Sequence, residues 1–239
     1  MAMVLYETPA KIELVGVNLF VNGAQHQRTT RTLREMRKTL RNYSEGLGNM
    51  DAYYMYRKVH QSGAMRFDIT IIPPTPFGEE LPKTHGHYHP GSEDGMAYPE
   101  IYQVVRGSAV FILQKKNKNG TVDALIVKAK EGEVLLLPPG YGHVTVNDGN
   151  EPLILSNLVY DRFESMYDEY DENHGAAFYL LKDGDIEQNG NYIVRVSDRI
   201  SAKELNARYG FSCKDILTEV EEAPEKFTFL EKPKLLFKA

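Results

Sequence analysis

Between Met65 and Tyr160 the chain alternates short runs of Val, Ile, Leu and Tyr with Pro and Gly punctuation. The runs at 67–72, 101–114, 122–128, 134–137, 143–146 and 153–160 have strand length and close spacing. That pattern predicts an antiparallel sandwich or barrel rather than alternating strands and helices. KNKNG at 116–120 puts Asn-Gly at a hairpin tip. In VLLLP the two-residue alternation is lost, so that strand is expected to be buried on both faces.

Outside this block the signals change. Leu33, Met36 and Leu40 recur at helical spacing among five basic residues, which predicts an amphipathic helix with a solvated basic face lying on the domain. An anion or partner site on that face is the sharper alternative. Residues 161–175 carry six carboxylates against one arginine and read as a solvated connection. Strand-like text returns at 177–181 and 192–196, and Ser201 with Glu204 forms a capping box for a short helix that Gly210 can end. The last thirty residues, divided by Pro224 and Pro233, are expected to pack on the domain surface as a tail.

Length and composition narrow the class. For 239 residues and 27.2 kDa, area scaling gives roughly 11,000 Å² exposed when folded against about 39,000 Å² unfolded, so a core forms without disulfides or a structural metal. The single Cys213 excludes an intramolecular disulfide, and no basic-then-apolar leader is present, which favours a reducing cytoplasm. The apolar run at 14–21 is broken by Asn18 and is too short to span a bilayer. A net charge of -5 argues against general nucleic-acid binding. The expectation is a soluble cytoplasmic protein with neither nucleic acid nor membrane as partner.

Histidine is the exception to an ordinary composition. Four of its seven copies fall in two places: His85, His87 and His89 in THGHYHP, and His143 in PPGYGHVTVN. In an extended strand, side chains two apart share a face about 7 Å from one another, so two such imidazoles can close on one cation. Exposed loop histidines without a ligand are the bland alternative for THGHYHP alone. Downstream, however, Glu100 precedes Gly107 by a six-residue spacer, and Gly132, Pro138, Gly140, His143 and Asn147 follow as G-x5-P-x-G-x2-H-x3-N.

These two blocks resemble the paired motifs of the cupin family, and Thr84, Gly86, His87 and His89 reproduce T-x-G-H-x-H, which resembles the signature of cupin-type, metal-dependent phosphoglucose isomerases. The first block departs from the cupin pattern in the ten residues between His89 and Glu100, so PGSEDGMAYP is expected to form an inserted hairpin tip. The resemblance covers roughly 31–160 and weakens toward 196. It implies an all-β core, a double-stranded β-helix or jelly-roll barrel with a few peripheral helices. Residues 1–175 would form the barrel domain with its metal site within 84–147, and 176–239 would add strands, a short helix and a tail packed on it.

By the same resemblance, His87, His89, Glu100 and His143 bind one divalent metal ion per subunit, and Glu100 is the catalytic residue. Three imidazoles and a carboxylate suit Fe2+ first, then Mn2+, Ni2+ or Zn2+, and leave one or two octahedral positions open. The implied substrates are glucose 6-phosphate and fructose 6-phosphate, interconverted through a cis-enediol or by a hydride shift. The resemblance places Thr70, Thr84, Gly86 and Tyr160 on the phosphate and Tyr102 near the sugar, with Tyr167, Tyr170 and His174 as loose candidates. His85, on the same face as the ligands, is held as a fifth ligand or phosphate contact. Pairing through edge strands into a homodimer is expected from the family. Two other classes stand beside this one: a metal-dependent cupin dioxygenase and a non-enzymatic sugar-binding cupin.

Overall fold

The computed structural model describes residues 2–237. Strands β1 (Met3–Tyr6), β2 (Ile12–Val15), β3 (Asn18–Val21) and β4 (Ala24–Gln25) make an antiparallel N-terminal sheet. The central strands follow: β5 (Thr29–Thr32), β6 (Asp51–Ser62), β7 (Met65–Ile72), β8 (Glu100–Arg106), β9 (Ser108–Lys116), β10 (Val122–Lys130), β11 (Val134–Leu137), β12 (Gly142–Asn147) and β13 (Leu153–Tyr160). Beyond them lie β14 (Phe178–Leu180), β15 (Ile186–Gln188) and β16 (Val194–Ser201), with helices α1 (Asp168–Glu172), α2 (Ala202–Ala207) and α3 (Ile216–Glu222).

Two sheets form a jelly-roll sandwich: β11-β8-β13-β7-β6-β5 faces β12-β9-β10-β16. Val104, Leu135 and Leu153 from the first meet Phe111, Leu125 and Val127 from the second in a dry core. The outer side of the six-stranded sheet is also covered. Ile12 and Leu19 from the N-terminal sheet and Val220, Phe227 and Leu230 from the C-terminal region pack there on Phe67, Ile101 and Leu158. This three-layer packing explains the unbroken apolar text of VLLL. Val134 and Leu136 face the outer layer, Leu135 and Leu137 the inner one, and all four are buried.

Three expectations change. The run 101–114 is two strands, because Gly107 at φ +94° turns the chain between β8 and β9. Leu33, Met36 and Leu40 are all buried as predicted from their spacing, yet they sit in consecutive turns rather than a regular helix. Met36 and Thr39 donate three residues back to Leu33 and Met36, the tight pattern of 3-10 turns. The last thirty residues are more than a surface tail, because Phe227 and Leu230 are fully buried in the layer that covers the six-stranded sheet. Among the described residues, no helix is long and apolar enough to cross a membrane.

Candidate metal centre

The segment carrying the histidine motif lies against β12. Thr84 donates to Thr145 O (2.9 Å), His87 to His143 O (3.2 Å) and His143 back to His87 O (3.0 Å), so His87 and His143 stand opposite one another. The ring centroids of this pair are 4.3 Å apart. Alternation then carries His89 to the same side, with His87 Nε2 and His89 Nε2 3.2 Å apart. The inserted residues fold back on themselves through Ser92 N to Met96 O (2.7 Å) and Tyr98 N to Pro90 O (3.1 Å). That small hairpin leaves Glu100 at the first position of β8, aimed inward. Its Oε2 lies 3.4 Å from His89 Nε2 and 3.6 Å from His143 Nε2. One ligand atom from each of His87, His89, Glu100 and His143 lies within 4.8 Å of every other.

The electrostatics of the cluster fit a cation. Burial pushes His87 and His143 well below the usual imidazole range and His89 down to about 4, so all three rings are neutral acceptors at neutral pH. His89 Nδ1 donates to Tyr98 O at 2.9 Å, which leaves Nε2 with its lone pair toward the cluster, the orientation metal-binding histidines adopt. Burial raises the Glu100 carboxyl to about 8. Its Oε1 accepts from Asn157 Nδ2 at 2.7 Å, while Oε2 is buried with no hydrogen-bond partner. An orphaned buried carboxylate oxygen facing three imidazole nitrogens is costly unless a cation completes it. These four residues could together hold a metal ion.

The cluster sits in a cavity of about 670 Å3 that opens between the sheets. Strand register sets its wall: Asn157 on β13 is abreast of Tyr102 on β8 and Asp68 on β7, and Thr70 is abreast of Met55 on β6. Thr70, Thr84, Gly86 and Tyr102 all line the cavity. Thr84 Oγ1 already accepts from Thr145 N (3.0 Å), so its own proton is free to be donated. The Tyr102 hydroxyl lies 2.9 Å from His143 Nε2.

Two expected contacts are placed elsewhere. Tyr160 points away from the cavity, because Asn157 and Val159 take the inward face of β13 and period two sends Tyr160 outward, where it stacks on Tyr98 at 5.1 Å. His85 leaves the face of the other histidines because Gly86 adopts φ +89°, interrupting the alternation. Its Nε2 instead meets Asp171 Oδ1 at 2.8 Å. Of the looser candidates, Tyr167 lines the cavity and packs on His87 at 5.5 Å, whereas Tyr170 is buried against Tyr88, and the His174 carbonyl accepts from Tyr179. Asn157 and Tyr53 also line the cavity, and no motif marks either of them. The signal for Asn157 was a polar pair, Ser156 and Asn157, inside an otherwise apolar strand buried on both faces.

The sequence is also similar to that of known proteins. Glucose-6-phosphate isomerases from Thermococcus onnurineus (33% identical over 101 residues, 42% of this chain and 49% of that protein), Thermococcus kodakarensis (26% over 134 residues, 56% and 67%) and Sinorhizobium medicae (32% over 100 residues, 42% and 43%) are similar to it. The chain spans about half the length of most of the curated relatives it matches. Among solved structures, the oxalate decarboxylase of Lactobacillus farciminis overlaps 49% of this chain and 31% of its own at 22% identity and a TM-score of 0.37. The model of the family described as glucose-6-phosphate isomerase matches residues 25–195, well over half of the sequence, and the chain belongs to that family.

Proposed function

We propose that this protein is a metal-dependent aldose-ketose isomerase that interconverts glucose 6-phosphate and fructose 6-phosphate. The observation that carries the reading is the orphaned Glu100 carboxylate among three neutral imidazoles, at the inner end of a cavity whose wall also presents Thr70, Thr84 and Gly86. His87, His89, Glu100 and His143 would hold the ion, with Fe2+ first and Mn2+, Ni2+ or Zn2+ as alternatives suited to this donor set. When bound, such an ion supplies Lewis-acid stabilisation of the negative charge that develops on the sugar oxygens.

The chain's own groups do the rest. Glu100 is the carboxylate placed at the inner end of the cavity to take the proton from C2 and return it at C1 through a cis-enediol, and for that step it would be held only loosely by the ion, since coordination lowers its basicity. Asn157 holds one Glu100 oxygen and so fixes the direction of the other. Tyr102 meets His143 Nε2 at 2.9 Å; with that nitrogen given to the ion, the hydroxyl would be free to meet the sugar. Thr70 and Thr84 hydroxyls and the Gly86 amide are placed to receive the phosphate. Tyr167 closes over His87 and limits water at the mouth. In this scheme residues 1–175 carry the site and 176–239 buttress it, in a cytoplasmic homodimer.

The test is a coupled assay for fructose 6-phosphate conversion, with mannose 6-phosphate run beside it. Chelated protein is expected to be inactive, and addition of iron, manganese or nickel to restore turnover. Undiminished turnover after exhaustive chelation, with no residual metal, would end the proposal.

A further inference from the structure

The cations that line the cavity are not equivalent. Arg66 donates from Nε to Asp68 (2.8 Å) and from a terminal nitrogen to Asp161 (2.9 Å), and Lys58 Nζ lies 2.8 Å from Asp161, so both are already neutralised. Arg57 lines the same cavity, is exposed, and has no carboxylate within ion-pair distance among the described residues.

Its position is the product of a bulge. β6 and β7 stay paired to Tyr56 and Ile69 and resume at His60 and Phe67, so Arg57, Lys58 and Val59 stand opposite Asp68 alone. Lys58 takes φ +56°, a left-handed conformation that a residue with a Cβ keeps only when its surroundings impose it. They do so here from both sides. The buried Asp68 carboxylate accepts the Lys58 N–H at 2.8 Å, and the His26 ring donates to the Arg57 carbonyl at 2.8 Å. A bulge beside a site re-aims a side chain, and strain maintained there points to a function for the group it presents. Met55, two residues before Arg57, is paired with Thr70. The Arg57 backbone is therefore about 7 Å along the wall from the threonine corner, within reach of an arginine side chain.

We infer that Arg57 is the cationic anchor for the phosphomonoester end of the substrate, its guanidinium fork completing the corner formed by Thr70, Thr84 and Gly86. The inference rests on the sugar-phosphate reading given above. The hydroxyls and the amide supply hydrogen bonds without charge. A dianion buried beside carboxylates such as Asp68 and Asp161 needs a compensating cation, and among the described residues at the wall Arg57 is left unpaired.

The experiment uses the metal-loaded full chain and inorganic phosphate as probe. Calorimetric titration and inhibition of fructose 6-phosphate conversion are measured for the parent, Arg57→Gln, Arg57→Lys and the hairpin-tip control Lys118→Gln. Arg57→Gln should weaken phosphate binding and raise KM about tenfold, with kcat changing by a smaller factor. Arg57→Lys should recover part of the loss, since it restores charge without the fork, and Lys118→Gln should match the parent. Phosphate affinity in Arg57→Gln equal to that of the parent overturns the inference, as does a parent that binds no phosphate. If no protein turns the sugar over but phosphate binding is still lost in Arg57→Gln, the isomerase reading fails and the anion anchor stands.

Discussion

Replacing Gly86 with alanine tests how the histidine segment is held. At Gly86 the backbone sits at φ +89°, and an added Cβ would lie 2.5 Å from Val144 Cγ2 and 2.6 and 2.7 Å from two Tyr170 ring carbons. Val144 and Tyr170 are fully buried, so neither has room to retreat. The left-handed backbone costs about 1–2 kcal/mol and overpacking a closed site about 1–3 kcal/mol more. Together, roughly 2–5 kcal/mol corresponds to a drop of roughly 5–15 °C in Tm for a chain of this size. Gly63 offers the control: its φ is +57°, but an added Cβ there would meet no atom within 4 Å, so Gly63→Ala bears the backbone cost alone. Calorimetric melts of the metal-free proteins, with metal content measured afterwards, separate the two contributions. Gly86→Ala should melt well below Gly63→Ala and bind metal less tightly, because His87 is the next residue. Equal melting temperatures for the two variants would refute the packing argument.

Two further outcomes follow from buried charge. Lys83 and Glu80 form an ion pair at 2% and 3% exposure, supported by Lys83 Nζ to Thr39 O and Arg41 N to Glu80, next to the histidine segment. Lys83→Met should cost about 3–5 kcal/mol by stranding Glu80, and the double variant with Glu80→Gln should regain most of it in denaturant unfolding. Glu100 gives a pH dependence in the metal-free protein. Its folded pKa of about 8 is above the ordinary value of 4.5, so the native state keeps a proton that the unfolded chain has released across that window. This contribution falls by up to about 1.4 kcal/mol per pH unit from 4.5 to 8 and levels off above, but below the ordinary imidazole value of 6.5 the buried neutral His87, His89 and His143 contribute in the opposite sense, so the net fall is expected between pH 6.5 and 8. Glu100→Gln should lack this slope; an identical slope in both proteins would place the titration elsewhere.

The parts of the site legible in the sequence were those fixed by short-range geometry. His87 and His89 are two apart on an extended segment, and the Pro138-to-Asn147 block delivers His143 to the strand paired with it. The KNKNG turn closes through Gly120 N to Asn117 O (3.0 Å), and the capping box at Ser201 and Glu204 is formed. What was not legible depends on a single backbone departure or on a distant partner. Gly86 turns His85 away, the bulge at Lys58 brings Arg57 in, and the face taken by Asn157 excludes Tyr160. The acidic text at 161–175 reads as solvated, yet Phe163 packs on His89 at 4.6 Å and Met166 is hydrogen-bonded to Tyr88 on both sides. Glu164, Asp168 and Glu172 are exposed, whereas Asp161, Glu169 and Asp171 are paired with Arg66, Lys116 and His85, and Phe163 and Tyr167 line the site, a division that net charge conceals.

On the reading proposed above, one metal ion held by His87, His89, Glu100 and His143 would make this cavity an isomerase site. The most direct test titrates metal into chelated protein while following fructose 6-phosphate conversion and bound metal together, in the parent and in His143→Ala. Turnover in the parent should rise in proportion to bound metal and saturate at one ion per subunit. His143→Ala should stay folded while losing at least about tenfold in affinity for the ion. Metal binding of equal strength and stoichiometry in both proteins, or turnover that does not follow bound metal, would contradict it.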